Sequence, residues 1–144
     1  MRRSTRTSFL VVLCGIVGVS ALSAVSGDVF AGDCGKIFRA GAAVVDITPA
    51  KFPISSNGSM KDRLATRAHD PLSARCLVLD DGRMRIAIAV CDSCMIPRDL
   101  LDEAKERASR KTGIPVNRML MSATHTHTGV TVAGVFQSEP DIEY

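Results

Sequence analysis

Two histidines, His125 and His127, are the residues whose type and spacing best suit chemistry in this sequence. Because one residue separates them, an extended backbone would point both imidazoles to the same side. Such a pair can give two nitrogens to one metal ion, or one nitrogen to a metal and the other to a substrate. Thr124 and Thr126 carry hydroxyls that can hydrogen-bond the rings, and an oxygen that fixes a ring tautomer strengthens a histidine ligand. The run Thr124–Gly129, in which threonines alternate with the histidines, favours a functional loop over a core strand.

A helix and a strand are predicted immediately before the pair. Pro97–Thr112 reads as a helix, because a proline opens it, apolar residues recur at helical spacing, and Gly113 ends it. Arg118–Ala123 reads as a short strand, with the histidines in the loop at its carboxyl end. The outer face of the predicted helix is charged and is interpreted as exposed to solvent.

Earlier segments predict a hairpin and a first strand. Ser73–Leu79 and Arg83–Val90 flank Asp80-Asp81-Gly82, and an Asp-Gly pair between apolar runs is typical of a tight hairpin. Ala40–Ile47 reads as a strand of small and β-branched residues. Ala50–Asp70 is rich in turn-forming residues, and a loop of this length inside a domain is usually functional or mobile.

This order of elements predicts an α/β fold: a mixed sheet with a β-hairpin and a right-handed β-α-β crossover. Ligands of such sheets collect beyond the carboxyl ends of the strands, where Asp92 and His125 both stand. Asp92 could accept a hydrogen bond from a metal-bound histidine, or cap the helical region together with Ser93. His69, at the end of the long loop, is a candidate cleft residue or a simple turn residue.

Composition indicates one domain with an aliphatic core, since 46% of the 144 residues are hydrophobic. The net charge of +3 owes much to the arginines among the first residues. Because no Lys/Arg block follows, a nucleic-acid partner is excluded.

Residues 1–31 read as an export signal, with a basic start, an apolar stretch from Phe9 to Val25 and a small-residue cleavage site ending at Ala31. An uncleaved membrane anchor is the alternative, because the stretch approaches the ~17 residues that can cross a bilayer. Either reading places the rest of the chain outside the cytoplasm. That location permits disulfides or free thiols among four cysteines: Cys34, Cys76, Cys91 and Cys94.

The run Ser122–Gly129 (Ser-Ala-Thr-His-Thr-His-Thr-Gly) resembles the Gly-Thr-His-Thr-His-Ser-Gly signature of the neutral (non-lysosomal) ceramidase family. Three further segments are similar to that family in order and spacing: Ala40–Pro49, His69–Val78 and Ile88–Asp92. The resemblance extends from Ala40 to about Gly129.

The resemblance implies a zinc hydrolase that cleaves an N-acyl amide, in ceramidases the bond between fatty acid and sphingoid base. His125 matches the family's first zinc ligand, and His127 matches the histidine beside the metal-bound water and the scissile amide. The family's other ligands, a His, a Glu and a Tyr, lie far downstream. Residues 38–144 are therefore expected to be the amino-terminal part of a larger catalytic domain, inactive without its carboxyl-terminal part. A lipid substrate and contact with a membrane surface are also expected.

Two alternatives belong to other classes of protein. Cys91 and Cys94 form a Cys-x-x-Cys between a strand and a helix, where a thiol-disulfide oxidoreductase keeps its redox pair. Against this, Cys91 falls within the strand and the helix starts only near Pro97. The second alternative is an exported α/β module without enzymatic activity.

Overall fold

The computed structural model describes residues 37–141 and 143–144. The predicted export signal and Cys34 lie outside these residues, so both remain predictions. No helix within the described ranges is long and apolar enough to cross a membrane. A 3₁₀ turn over Val116–Arg118 accompanies the regular elements, which are β1 (Arg39–Asp46), β2 (Ile54–Ser56), β3 (Arg63–Ala65), β4 (Ser73–Asp80), β5 (Arg85–Cys91), α1 (Arg98–Thr112) and β6 (Met119–Ala123).

Four strands form one mixed sheet in the order β1-β4-β5-β6. Strand β4 pairs antiparallel with β1 and β5, whereas β5 and β6 are parallel and connected through α1. The hairpin turn forms where Asp-Gly predicts it: Gly82 has φ of 85°, and the Asp81 carboxylate accepts the Arg83 and Met84 N–H groups at 2.9 and 2.7 Å. The predicted mixed α/β fold, with its hairpin and β-α-β unit, is confirmed.

Small side chains let α1 pack closely on one face of the sheet. Ala104 and Ala108 of the helix belong to the same buried cluster as Ala87 and Ala89 of β5. Methionines of β6 complete this core from the neighbouring strand. The face of β5 that carries these small residues is therefore covered by the helix. Gly113, with φ of 70°, ends the helix by donating its N–H to the Ser109 carbonyl.

The opposite face of the sheet is more open in the described part of the chain. The strand register aligns Ala42, Leu77, Ile88 and Leu120 in one row. Leu77 is 38% exposed and Leu120 is 60% exposed. The main hydrophobic core thus lies on the helical side of the sheet.

The long segment predicted as a loop contains β2 and β3, which pair as a second, two-stranded sheet. Each strand has only three residues, too few for an alternating pattern to show among turn-forming neighbours. Ser56 of β2 also forms a β-bridge with Val130. The segment is therefore attached to the loop that follows the two histidines.

Replacing Ala108 by Leu tests the close packing of α1. Ala108 is 1% exposed, so the larger side chain should overpack the core and lower the free energy of unfolding by about 1–3 kcal/mol. Urea unfolding of Ala108→Leu against Lys111→Leu, an exposed position near the end of the same helix, measures this effect. Equal stability of the two variants would contradict the packing described.

Candidate metal centre

A left-handed backbone turn, rather than an extended strand, brings the two imidazoles together. The Thr124 N–H continues the β5–β6 pairing by donating to the Cys91 carbonyl at 2.9 Å. His125 then has φ of 61°, a conformation that costs a residue with a Cβ roughly 1–2 kcal/mol. The rings of His125 and His127 lie with centroids 5.0 Å apart at 73°. The two rings are therefore close together as predicted, but a left-handed residue at His125 brings them together, not an extended backbone.

The two Nε2 atoms face each other at 3.3 Å. His125 Nδ1 lies 2.9 Å from the Cys94 carbonyl oxygen, which can only accept a hydrogen bond. In the tautomer that donates its Nδ1–H to this oxygen, Nε2 keeps the lone pair that a metal needs. Two imidazole ligands of a tetrahedral zinc ion, at 2.0–2.1 Å from it, stand ~3.3 Å apart. The pair fits such an ion.

Thr124 and Thr126 do not orient the imidazoles, contrary to the sequence expectation. The Thr126 hydroxyl lies 3.1 Å from that of Thr128, and the Thr124 side chain hydrogen-bonds Asp92. A backbone carbonyl, that of Cys94, holds the His125 ring instead. Hydroxyls of a short loop readily bond one another and the local backbone, which competes with bonding to a neighbouring ring.

Cys94 adds a third possible donor next to the imidazoles. Its side chain is buried, and Sγ lies 4.0 Å from His125 Nδ1. One ligand atom from each of Cys94, His125 and His127 lies within 4.8 Å of the other two. The sequence indicates Cys94 as a possible disulfide or free thiol and as half of a redox pair, but not as a neighbour of the histidines. The parallel pairing of β5 and β6 was the usable signal, because it brings the residues that follow both strands to one edge.

The proposed redox pair lacks the features of a reactive dithiol. Cys76, Cys91 and Cys94 are free thiols. Burial, with a smaller contribution from the adjacent Asp92, raises the pKa of Cys91 to about 11, whereas a nucleophilic thiol needs a lowered pKa. The helix begins at Arg98, so its amino terminus is not next to either sulfur in sequence. These observations disfavour the oxidoreductase alternative.

Asp92 links the ends of three strands, and the hydrogen bonds of its carboxylate go to groups other than the two imidazoles. Its carboxylate accepts the Ser73 N–H and the Arg75 guanidinium, each at 2.9 Å, together with the Thr124 side chain. Burial alone would raise the pKa of Asp92, but these hydrogen bonds and the Arg75 charge hold it below its ordinary value. Helix α1 has no side-chain cap. Both sequence hypotheses for Asp92, a bond to a histidine and a helix cap, are therefore replaced by a structural role beneath the site.

Gly58 allows the close approach of His127, a role that the local sequence does not indicate. It has φ of 103°, and a Cβ built on it would lie 2.3 Å from His127 Cβ. The Arg63 guanidinium clamps the same place, donating to the Asn57 and His127 carbonyls at 3.0 and 2.7 Å. In the sequence, Asn57-Gly58 indicates only a turn. Its contact with His127 depends on tertiary pairing.

Asn57 anchors the chain that follows the histidines. It is 1% exposed, and its Oδ1 accepts the hydroxyls of Thr131 and Ser138 at 3.0 and 2.6 Å. Its Nδ2 donates to the Ala133 carbonyl at 3.0 Å. Since every polar atom of this buried amide has a partner, the network fixes the loop in one position.

A cavity of about 530 Å³ adjoins the histidine loop. Thr128, Gly129 and Val130 form part of its wall, and His69 lies on the wall as well. His69 is exposed and pairs with Asp70 at 3.1 Å, outside the group formed by Cys94 and the two other histidines. The remaining lining is largely apolar and includes Phe52, Ile54, Leu64, Ala65, Pro71 and Leu72.

A solved structure with the same fold is the crystal structure of neutral ceramidase from Pseudomonas aeruginosa. The TM-score is 0.60 at 22% sequence identity, over 67% of this chain and 16% of the ceramidase chain. The described fold is ceramidase-like. No protein-family model matches the chain, and no curated protein matches it. At this identity the likeness concerns the fold, and this chain spans only a small part of that ceramidase.

Gly58→Ala should be much more destabilising than Gly82→Ala. Both glycines have positive φ, but an added Cβ meets His127 only at position 58, with nothing within 4 Å at position 82. Backbone strain should cost each variant about 1–2 kcal/mol, and the clash should add to this only in Gly58→Ala. Urea unfolding measures the difference. Matching losses in the two variants would contradict the contact between Gly58 and His127.

Asp92→Asn should lower stability in a pH-dependent manner. A depressed carboxyl pKa stabilises the fold above the ordinary value of 3.8, and this contribution is lost as pH falls through the folded-state pKa. At pH 7 we expect a loss of about 1–3 kcal/mol, the range for hydrogen bonds to a charged group. Chemical denaturation at several pH values should show that the difference in the free energy of unfolding between this variant and the wild type shrinks below pH 4. Asp70→Asn, at an exposed carboxylate, is the control, and a gap that stays constant down to acid pH would refute the role given to Asp92.

Proposed function

We propose that this chain carries part of the active site of a zinc-dependent amidohydrolase that cleaves N-acyl amides of the ceramide type. The observation that carries the proposal is the 3.3 Å approach of the His125 and His127 Nε2 atoms. The ceramidase-like fold supports it, since these histidines lie in the run that resembles the ceramidase signature.

The chain's own residues supply the features that a catalytic zinc site needs. His125 would hold the ion through Nε2, with its ring fixed by the Cys94 carbonyl. Both imidazoles are exposed, so a substrate can reach them. A bound zinc ion would polarise an amide carbonyl and acidify a water molecule.

His127 is proposed as a second zinc ligand, because its Nε2 lies at the spacing of two ligands on one ion. The resemblance implies a different role, transfer of a proton to the leaving amine. Zinc content separates the two roles. His127→Gln should lose zinc if the imidazole is a ligand, and should keep zinc but lose activity if it only transfers a proton.

The cavity beside the histidine loop suits an apolar acyl chain. Its wall is largely apolar, while Arg63 and Arg67 add positive charge. Leu64 lines the cavity and is 63% exposed, and Met60 in the same hairpin is 67% exposed. Such an apolar rim favours a lipid substrate taken from a membrane or micelle surface.

Zinc analysis and an amide hydrolysis assay on the complete gene product test this function together. The wild type should contain about one zinc per chain and hydrolyse a fluorogenic N-acyl sphingosine. His125→Gln should lose the zinc and lower kcat/KM at least about 100-fold, since even partners of metal ligands contribute up to that much.

His69→Gln is the matched control for zinc content, because His69 lies outside the group around His125. The control should retain its zinc. Absence of zinc from the wild type would favour the non-enzymatic module. Unchanged zinc content and activity in His125→Gln would refute the role of His125.

A further inference from the structure

We propose that the cavity beside the histidine loop binds a long-chain carboxylate, with the chain against the apolar wall and the carboxylate at Arg67. Binding of this ligand needs no metal ion. The inference goes beyond the proposed function because it names a charged ligand and the residue that recognises the charge. It rests on the proposed function only for the acyl chain in the cavity.

The side chain of Arg67 carries the inference. Arg67 lines the cavity, and its guanidinium makes no hydrogen bond or ion pair with any residue in the part of the chain that the structure describes. Arg63 lines the same cavity, but its guanidinium already donates to the carbonyls of Asn57 and His127. Of these two cations on the wall, Arg67 is therefore the one whose donors are available to a ligand.

The rest of the cavity suits an apolar chain. Its volume of about 530 Å³ lies within the range of ~300–1,000 Å³ that is usual for small-molecule sites. Leu64 of β3 lies on the wall together with Phe52, which precedes β2, and Leu72, which precedes β4. Leu64 is 63% exposed, so a bound chain would remove apolar surface of the protein from water. The ligand therefore combines an apolar chain with an anionic end.

The charges on the wall favour a ligand with one negative charge. A guanidinium can form two parallel hydrogen bonds with a carboxylate. The carboxylate of Asp70 also lies on this wall, where it pairs with His69 at 3.1 Å, and it would repel a doubly charged phosphate monoester more than a carboxylate. Hydrolysis of an N-acyl amide by water releases a long-chain carboxylate and an amine. Under the proposed function, this site would therefore retain the acid product, which would compete with the next substrate molecule.

Three amphiphiles of equal chain length test this site by isothermal titration calorimetry of the 144-residue chain. They are dodecanoate, dodecanol and dodecyl phosphate, each below its critical micelle concentration in a mildly alkaline buffer without metal ions. The wild type should bind dodecanoate about fivefold more tightly than dodecanol, the upper range for an exposed ion pair. Arg67→Gln should lose this preference and bind dodecanol as the wild type does. Arg83→Gln, at an exposed arginine of the β4–β5 turn outside the cavity, should keep the preference.

The comparison of dodecanoate with dodecanol on the wild type does not depend on a variant folding. Equal affinities for the two, no binding of any of the three, or a preference that survives in Arg67→Gln would overturn the proposal. An Arg67-dependent preference for dodecyl phosphate over dodecanoate would overturn the assignment of a carboxylate and indicate a phosphate headgroup. Because the titrations contain no metal, each of these failures leaves the zinc content and hydrolysis expected of the complete gene product unaffected.

Discussion

The parallel pairing of β5 with β6 is the constraint on which the site depends. It aligns Cys91 with Ala123, and the Thr124 N–H extends the ladder by one bond to the Cys91 carbonyl. Residues that follow the two strands must therefore emerge at one edge of the sheet. Cys94 and His125 are 31 residues apart in sequence, yet a hydrogen bond joins them across this edge. Helix α1 makes the parallel arrangement possible, because it carries the chain from the end of β5 back to the start of β6.

Several energetically unfavourable features lie around this edge of the sheet. His125 adopts positive φ, Gly58 approaches the His127 backbone, and the buried amide of Asn57 needs a full set of partners. Strained backbone persists only where surrounding contacts determine it, and it clusters at functional sites. Here hydrogen bonds fix the conformation of the histidine loop, and they come from the Arg63 guanidinium, the Asn57 amide and the Cys94 carbonyl. The outcome is two exposed imidazoles whose lone pairs can converge, beside an apolar cavity.

Much of the fold could be predicted from the sequence because its signals are local. Asp81-Gly82 specifies a hairpin, and Pro97 and Gly113 bracket a helix with a small apolar face. Strand β6 and the histidine loop follow from the change in residue type at Thr124. By contrast, β2 and β3 are too short to show a period, and their attachment through Ser56 and Val130 joins residues far apart in sequence.

The part of the candidate site that depends on local sequence could also be predicted. His125 and His127 are neighbours in sequence, so their pairing shows in the spacing. Asp92 was placed at the correct edge, but its Arg75 partner comes from the adjacent strand and only the register reveals it. Gly58 and Arg63 contact His127 although more than sixty residues separate them from it in the sequence. No local sequence pattern predicts such contacts. Cys94 forms half of a redox motif in the sequence, and only the fold shows that its carbonyl holds the His125 ring.

Nuclear magnetic resonance of the imidazole nitrogens tests the central claim, that His125 and His127 present their Nε2 atoms to one metal ion. The sequence contains three histidines, so His69 serves as an internal reference. During zinc titration, the Nε2 resonances of His125 and His127 should shift together and saturate at one equivalent, with His125 Nδ1 remaining protonated and His69 unchanged. Equal shifts at all three rings, or no shift at His125 and His127, would contradict the account.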